Sequence, residues 1–332
     1  MGEQRASVAT SAPGKCILFG EHAVVYGQPA VAVALEQRLM VTMTPAVSWS
    51  VDGSPLTAEK HPHVAKLWEL LQLEQSATPM AIHIVADIPR ASGLGSSAAL
   101  CAAVSAGMAS LLGHETIQHQ TLSEVAHQAE AFAQHGRASP MDTSTSVEGG
   151  VILLSNQRES EAEWLYTRHL STPEGERRWE IHRLQVPPQP ESPVYLVLGN
   201  TGVHAPTSAQ VAMVAHTLMQ DPTRMREIEA IGIIARRGLQ ALINGDYSAV
   251  GHAMSENHLI LRNLGVSSPE LETLIRAAAP TSLGVKLTGA GGGGCMVALT
   301  QHPKETSEAI ELAGGRTLIS RLGNEGVRFE TV

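Results

Sequence analysis

Gly93-Leu94-Gly95-Ser96-Ser97-Ala98-Ala99 follows an alternating stretch, Ala81–Ile88 (AIHIVADI), and precedes an Ala-, Ser- and Gly-rich run that ends at Leu112. The alternation predicts a strand and the small-residue run a buried helix, so the glycines mark a strand-to-helix turn. Glycine lets the backbone turn sharply and approach a ligand closely. The helix start then presents unpaired N–H groups and the positive end of its dipole, which suits a phosphate. Ser96 and Ser97 add hydroxyls that can reach phosphate oxygens or a Mg²⁺ ion. No Gly-Lys-Ser/Thr follows, so this is not a Walker A loop, and the spacing is not GxGxxG. The plain alternative is a tight turn whose serines only cap the helix.

Outward from that turn, residues 16–20 (CILFG) and 30–35 (AVAVAL) read as buried strands, and 38–49 as another, broken at Pro45. Val64, Leu67, Trp68 and Leu71 share one stripe of a helix over 61–73. Thr121–His135 reads as a helix capped by Thr121 or Ser123, and Val151–Ser155 as a strand. Residues 156–192 are polar and end Pro-rich, and are read as the join between two domains, 1–185 and 186–332. Val194–Gly199 is a buried strand; 207–220, 225–244 and 246–263 are helices. Lys286–Thr288 and Cys295–Thr300 are strands flanking a glycine run. The mixture predicts an α+β fold, with no internal repeat.

Composition limits the function. The chain has 332 residues, enough for about two domains. Apolar residues make up 43 % and charged residues 17 %, which excludes a disordered chain. Aromatics are only 3 %, too few for base-stacking platforms, and a net charge of −9 repels a phosphate backbone, so nucleic acid is not an expected partner. The apolar run Ala98–Leu112 is shorter than the roughly 20 residues a membrane span needs, so no membrane partner is expected. Residues 1–11 lack an apolar core, so no secretory signal is expected. Cys16, Cys101 and Cys295 lie far apart and read as reduced thiols of a cytoplasmic protein. Cys16 and Cys295 read as small buried hydrophobes rather than nucleophiles. The histidines show no HExxH spacing, and His61 and His63 around Pro62 read as solvated surface.

Three further segments carry chemistry. Gly289-Ala290-Gly291-Gly292-Gly293-Gly294 is costly to order, and a backbone that lies flat against a ligand would justify it. In Gly136–Ser146, Ser139-Pro140 looks like an N-cap with proline in the first turn. Asp142 then completes a capping box, or, at a positive helix start, serves as a catalytic carboxylate. In Ser11–Gly27, Lys15 sits at the mouth of an apolar strand, and Glu21 and His22 follow Gly20 in a turn.

Taken together, Pro13–Gly27, Gly93–Ala99 and Lys286–Cys295, in that order, resemble the three motifs of the GHMP kinases. Within that family, Ser-Ala-Pro-Gly-Lys15 with Gly-Glu21-His22-Ala-Val-Val-Tyr-Gly27 resembles the mevalonate kinases. Ala138-Ser139-Pro140-x-Asp142-Thr143 is closest to their archaeal branch. The resemblance implies an N-terminal domain like ribosomal protein S5 domain 2 and a ferredoxin-like C-terminal domain. It implies ATP and Mg²⁺ and a small-molecule acceptor, mevalonate; a homodimer is one option for assembly. Gly93, Leu94, Gly95, Ser96, Ser97 and Ala98 would wrap the ATP phosphates. Asp142 and Lys15 would be catalytic and would touch the acceptor, with Glu21, His22, Gly291 and Gly292. Ser97 would hold Mg²⁺. Relatives place a second Mg²⁺ ligand where this chain has Ala131, so Glu130, one residue away, would take the role through a helix insertion such as a π-bulge. The alternatives are another GHMP kinase, such as phosphomevalonate kinase, or a non-catalytic ligand sensor. A phosphorylated acceptor would call for extra cations, for which Arg137 is the main candidate.

Overall fold

The computed structural model describes residues 7–331, apart from 74–77, 90–91, 115, 117, 137, 173–174 and 189–190. Arg137 therefore lies outside the described residues. Two sheets carry the chain. The large one takes β1 (Val8–Phe19), β2 (Ala30–Pro45), the short β3 (Ser50–Val51) and β4 (Ser54–Pro55), β5 (Met80–Ala86), β6 (Val151–Ser155), β7 (Glu163–Thr172) and β8 (Gly175–Leu184). The small one takes β9 (Tyr195–Asn200), β10 (Gly284–Thr288), β11 (Cys295–Thr300) and β12 (Arg316–Ser320). The last strand, β13 (Arg328–Glu330), returns to pair with β1. Helices α1 (Pro62–Leu70), α2 (Ser96–Leu111), α3 (His119–Ala133) and α4 (Met141–Glu148) come before β6. Helices α5 (Thr207–Gln220), α6 (Met225–Ile243), α7 (Tyr247–Asn263) and α8 (Pro269–Ala278) separate β9 from β10, and α9 (Pro303–Leu312) separates β11 from β12.

The α+β expectation holds. The two strands expected at 30–35 and 38–49 are one, β2: its first half pairs with β6, its second with β5, and β1 lies along its other edge. The polar stretch 156–192 is not a linker throughout, because it contains the β7–β8 hairpin, whose inner strand pairs with β6. The small sheet runs β10-β11-β9-β12, antiparallel throughout. With helices in both crossovers this is the expected ferredoxin-like arrangement.

Helix α2 is buried on nearly every side, from Ala98 and Ala99 to Met108 and Leu111. Its alanines permit close approach to β1, α1, α3 and α4. One apolar core runs from Leu18, Val33 and Val104 to Leu198, Leu239 and Val297, so the two sheets share it. Among the described residues no helix is long and apolar enough to cross a membrane.

Candidate active site

A cavity of about 1320 Å³ opens between the two sheets, and Lys15, Ser97, Glu130 and Asp142 all line it. Lys15 reaches it because β1 slips register between Pro13 and Lys15, at Gly14. Such a bulge re-aims a side chain. The Lys15 ammonium lies 3.1 Å from Asp142 Oδ2 and donates to the Gly93 carbonyl at 2.9 Å. An ammonium has three donors, so one remains for the cavity. The Lys15 stem lies against Gly95, where a Cβ would come within 2.8 Å of Lys15 Cγ. Gly95 also holds φ +75°, the left-handed region.

Gly95 precedes α2, and its carbonyl accepts the first helical bond, from Ala99 N–H at 2.9 Å. The N–H groups of Ser96, Ser97 and Ala98 therefore have no helical partner, and no side chain caps them. The serines do not cap the helix. Ser97 Oγ instead donates to Glu130 Oε1 on α3 at 2.8 Å. Leu94 turns away into the core, and Ala98 is buried behind the cavity wall.

Helix α4 is buried throughout except at Asp142, which faces the cavity with about a third of its side chain exposed. The capping-box expectation fails, because no side chain caps α4 and its carboxylate is turned to Lys15. The cap residue is Pro140, whose carbonyl accepts from Ser144 N–H at 2.9 Å. Helix α3 likewise begins earlier than expected, at His119, without a side-chain cap, and Ser123 is buried beside Ser144. It runs as regular α-helix to Ala133, with no π-bulge, and still delivers Glu130 to Ser97. Burial first, and Asp142 second, push the Glu130 carboxyl up to about 8. Its Oε2 is buried without a partner.

Glu21 and His22 also line the cavity. His22 has φ 60°, and its Nε2 lies 2.9 Å from the Ala290 carbonyl, which ties the glycine run to the first motif. Of that run only Gly289 and Ala290 reach the cavity wall. Gly291 and Gly292, expected on the acceptor, pack against protein. A Cβ would meet the Val266 carbonyl at 2.0 Å in one and Gln210 at 2.3 Å in the other. Close packing within the fold, rather than ligand contact, requires glycine there.

His61 and His63 are not solvated surface. With Lys60 they are part of the cavity wall, and burial lowers the His63 pKa. Tyr26, Arg177, Trp179 and α5 form another part of the wall that the sequence did not disclose. The thiols behave as expected: burial pushes Cys16 up to about 11 and Cys295 up to about 12.

The comparisons agree with this geometry. Residues 62–150 match the GHMP kinases N terminal domain, and residues 239–314 match GHMP kinases C terminal. The chain is 34 % identical to the mevalonate kinase of Pyrococcus abyssi, over 98 % of both chains. The chain belongs to the GHMP kinase family. It is also 33 % identical to the Pyrococcus horikoshii mevalonate kinase, again over 98 % of both. Among solved structures, L. major mevalonate kinase in complex with R-mevalonate is similar in fold: TM-score 0.75, 23 % identity, 96 % of this chain and 98 % of that one. The GHMP kinase fold accounts for the two sheets and for the cavity between them.

Proposed function

We propose that this chain is a mevalonate kinase, which transfers the γ-phosphoryl group of ATP to the 5-hydroxyl of (R)-mevalonate in isoprenoid synthesis. Residues 1–185 would supply most of the groups named below, and 186–332 the wall that includes Gly289 and Ala290. The observation that carries the reading is the Lys15–Asp142 pair, 3.1 Å apart beside the open N-terminus of α2.

Phosphoryl transfer needs positioning and charge stabilisation more than covalent chemistry. The free N–H groups of Ser96, Ser97 and Ala98 receive phosphate oxygens. The third Lys15 donor faces the γ-phosphoryl group, where charge spreads in the transition state. Asp142 orients the acceptor hydroxyl and takes its proton late, as the new O–P bond forms and the bond to ADP breaks. Glu21 and His22 receive other oxygens of the acceptor.

The donor set fits Mg²⁺, a hard ion satisfied by a hydroxyl, one carboxylate, phosphates and water. Ser97 Oγ and Glu130 would hold it, the unpartnered Glu130 Oε2 being the oxygen left for it. When bound, it neutralises charge on the phosphates.

A coupled assay of ADP release across mevalonate, phosphomevalonate, galactose and homoserine tests the reading. Turnover of mevalonate well above the others is expected. Preference for another acceptor, or ATP binding without any turnover, overturns it.

A further inference from the structure

We propose that Lys286 is a positioning residue for the acceptor: it keeps the Glu21 carboxylate ionised and turned so that one oxygen stays free for a second hydroxyl of the substrate. The inference rests on the reading of the site given above and deepens it.

Lys286 stands in β10 and is fully buried, as is Glu21. Its ammonium pairs with Glu21 Oε1 and donates to the carbonyls of Leu287 and, at 3.5 Å, Ile17. Those three acceptors use its donors, and Lys286 is absent from the cavity wall. It therefore acts on a ligand only through Glu21, which is part of that wall. Glu21 Oε2 is buried and unpartnered, and so is His22 Nδ1. A carbonyl only accepts, so His22 Nε2 carries the proton shared with Ala290, and Nδ1 presents a lone pair. Two unpartnered buried acceptors on consecutive residues call for an O–H donor, not for a carboxylate or phosphate. A ligand hydroxyl beyond the one phosphorylated meets that need. A buried acceptor left without a donor carries its full desolvation cost, so an acceptor substrate lacking that hydroxyl binds worse.

The charges around the pair suit the role. Burial is the largest influence on the Glu21 carboxyl and raises its pKa; Lys286, by charge and hydrogen bond, opposes that rise without cancelling it, and Lys15 adds to the opposition. Cys16 and His22 are the other titratable groups nearby, and burial disfavours charge on both. Behind Lys286, His258 Nδ1 accepts from Leu287 N–H at 3.4 Å and Nε2 faces Glu272 at 2.9 Å. Burial and Lys286 lower its pKa, so it stays neutral and adds no second charge beside the pair.

The test compares wild type, Lys286→Met, Glu21→Gln and the double variant, with Lys286→Gln as a substitute should Lys286→Met not fold. The double variant removes both charges together and leaves none buried alone. Lys286→Met should raise the KM for mevalonate at least about tenfold, the scale of a hydrogen bond to a charged group, with the KM for ATP within about threefold. In the Glu21→Gln background the same change should shift the KM for mevalonate by less than about threefold. Additive losses, or a loss confined to ATP, overturn the proposal in favour of a structural role. Infrared difference spectra read the pair without substrate. A protonated-carboxyl band should appear in Lys286→Met at neutral pH and vanish in the double variant; its absence also overturns the proposal. If wild type fails to phosphorylate mevalonate, the functional reading falls, and the infrared result still decides whether Lys286 governs Glu21.

Discussion

Asp142 is the one residue of α4 left unburied, and the group facing it is the ammonium of Lys15. Asp142→Asn keeps the shape and removes the charge. It should lower kcat at least about 10²-fold, the low end for a positioned proton acceptor, with ATP affinity measured by titration largely intact. Near-normal turnover would remove Asp142 from the chemistry. Ser97→Ala deletes the hydroxyl that meets Glu130, so the Mg²⁺ concentration for half-maximal rate should rise; an unchanged Mg²⁺ titration would take Ser97 out of the metal shell. Lys15, Ser97 and Asp142 were legible in the sequence because each stands within two residues of glycine or proline, which mark turns where side chains meet ligands. Lys286 was not. A lone lysine between Val285 and Leu287 reads as a strand-end charge, and only the return of β10 beside β1 discloses its partner. His61 and His63 were misread for a related reason, since local sequence does not show that α1 borders a cavity.

At the scale of elements, the start of α2 and the bulge in β1 are fitted to each other through Gly95. Gly95→Ala puts a methyl against the Lys15 stem and strains a left-handed backbone position. It should cost about 1–2 kcal/mol of stability and move Lys15, with kcat falling at least tenfold. Thermal unfolding and steady-state kinetics on the same preparation check both; wild-type values in either would show that the stem has room elsewhere. Elements with strong periodicity or continuous apolar runs, such as α2 and β6, were readable. The β7–β8 hairpin was not, because β7 is the sheet's edge and β8 opens with four exposed residues, Gly175 to Arg178. Polar residues there protect an edge, and the same composition resembles a loop.

The whole molecule carries several histidines buried as neutral rings: His22, His127, His182 and His258 all have lowered pKa values, with burial the largest cause. For His127 the drop is from 6.5 to about 4. Between those values the unfolded chain binds a proton that the folded one refuses, so stability is full above pH 6.5 and is lost as pH falls toward 4. The shift corresponds to roughly 3 kcal/mol. Glu130 acts with the opposite sign, since its raised pKa lets the folded state keep a proton from pH 4.5 to about 8. Urea midpoints of wild type and His127→Gln across pH 4–7 isolate the histidine: the variant should lose about one proton's worth of slope, and parallel curves would contradict the assignment. The α+β mixture followed from local patterns and the two-domain outline from the family resemblance, whereas the closing contact, Ala9 with Glu330 and Ser11 with Arg328, joins positions that no local pattern relates. Arg38 reinforces that closure through the carbonyls of Glu325 and Gly326. That contact joins positions about 320 residues apart, and the loop-closure entropy of so distant a pairing makes it late to form. One edge of β1 is thus an open seam while the two sheets assemble, and β13 is the strand that closes it.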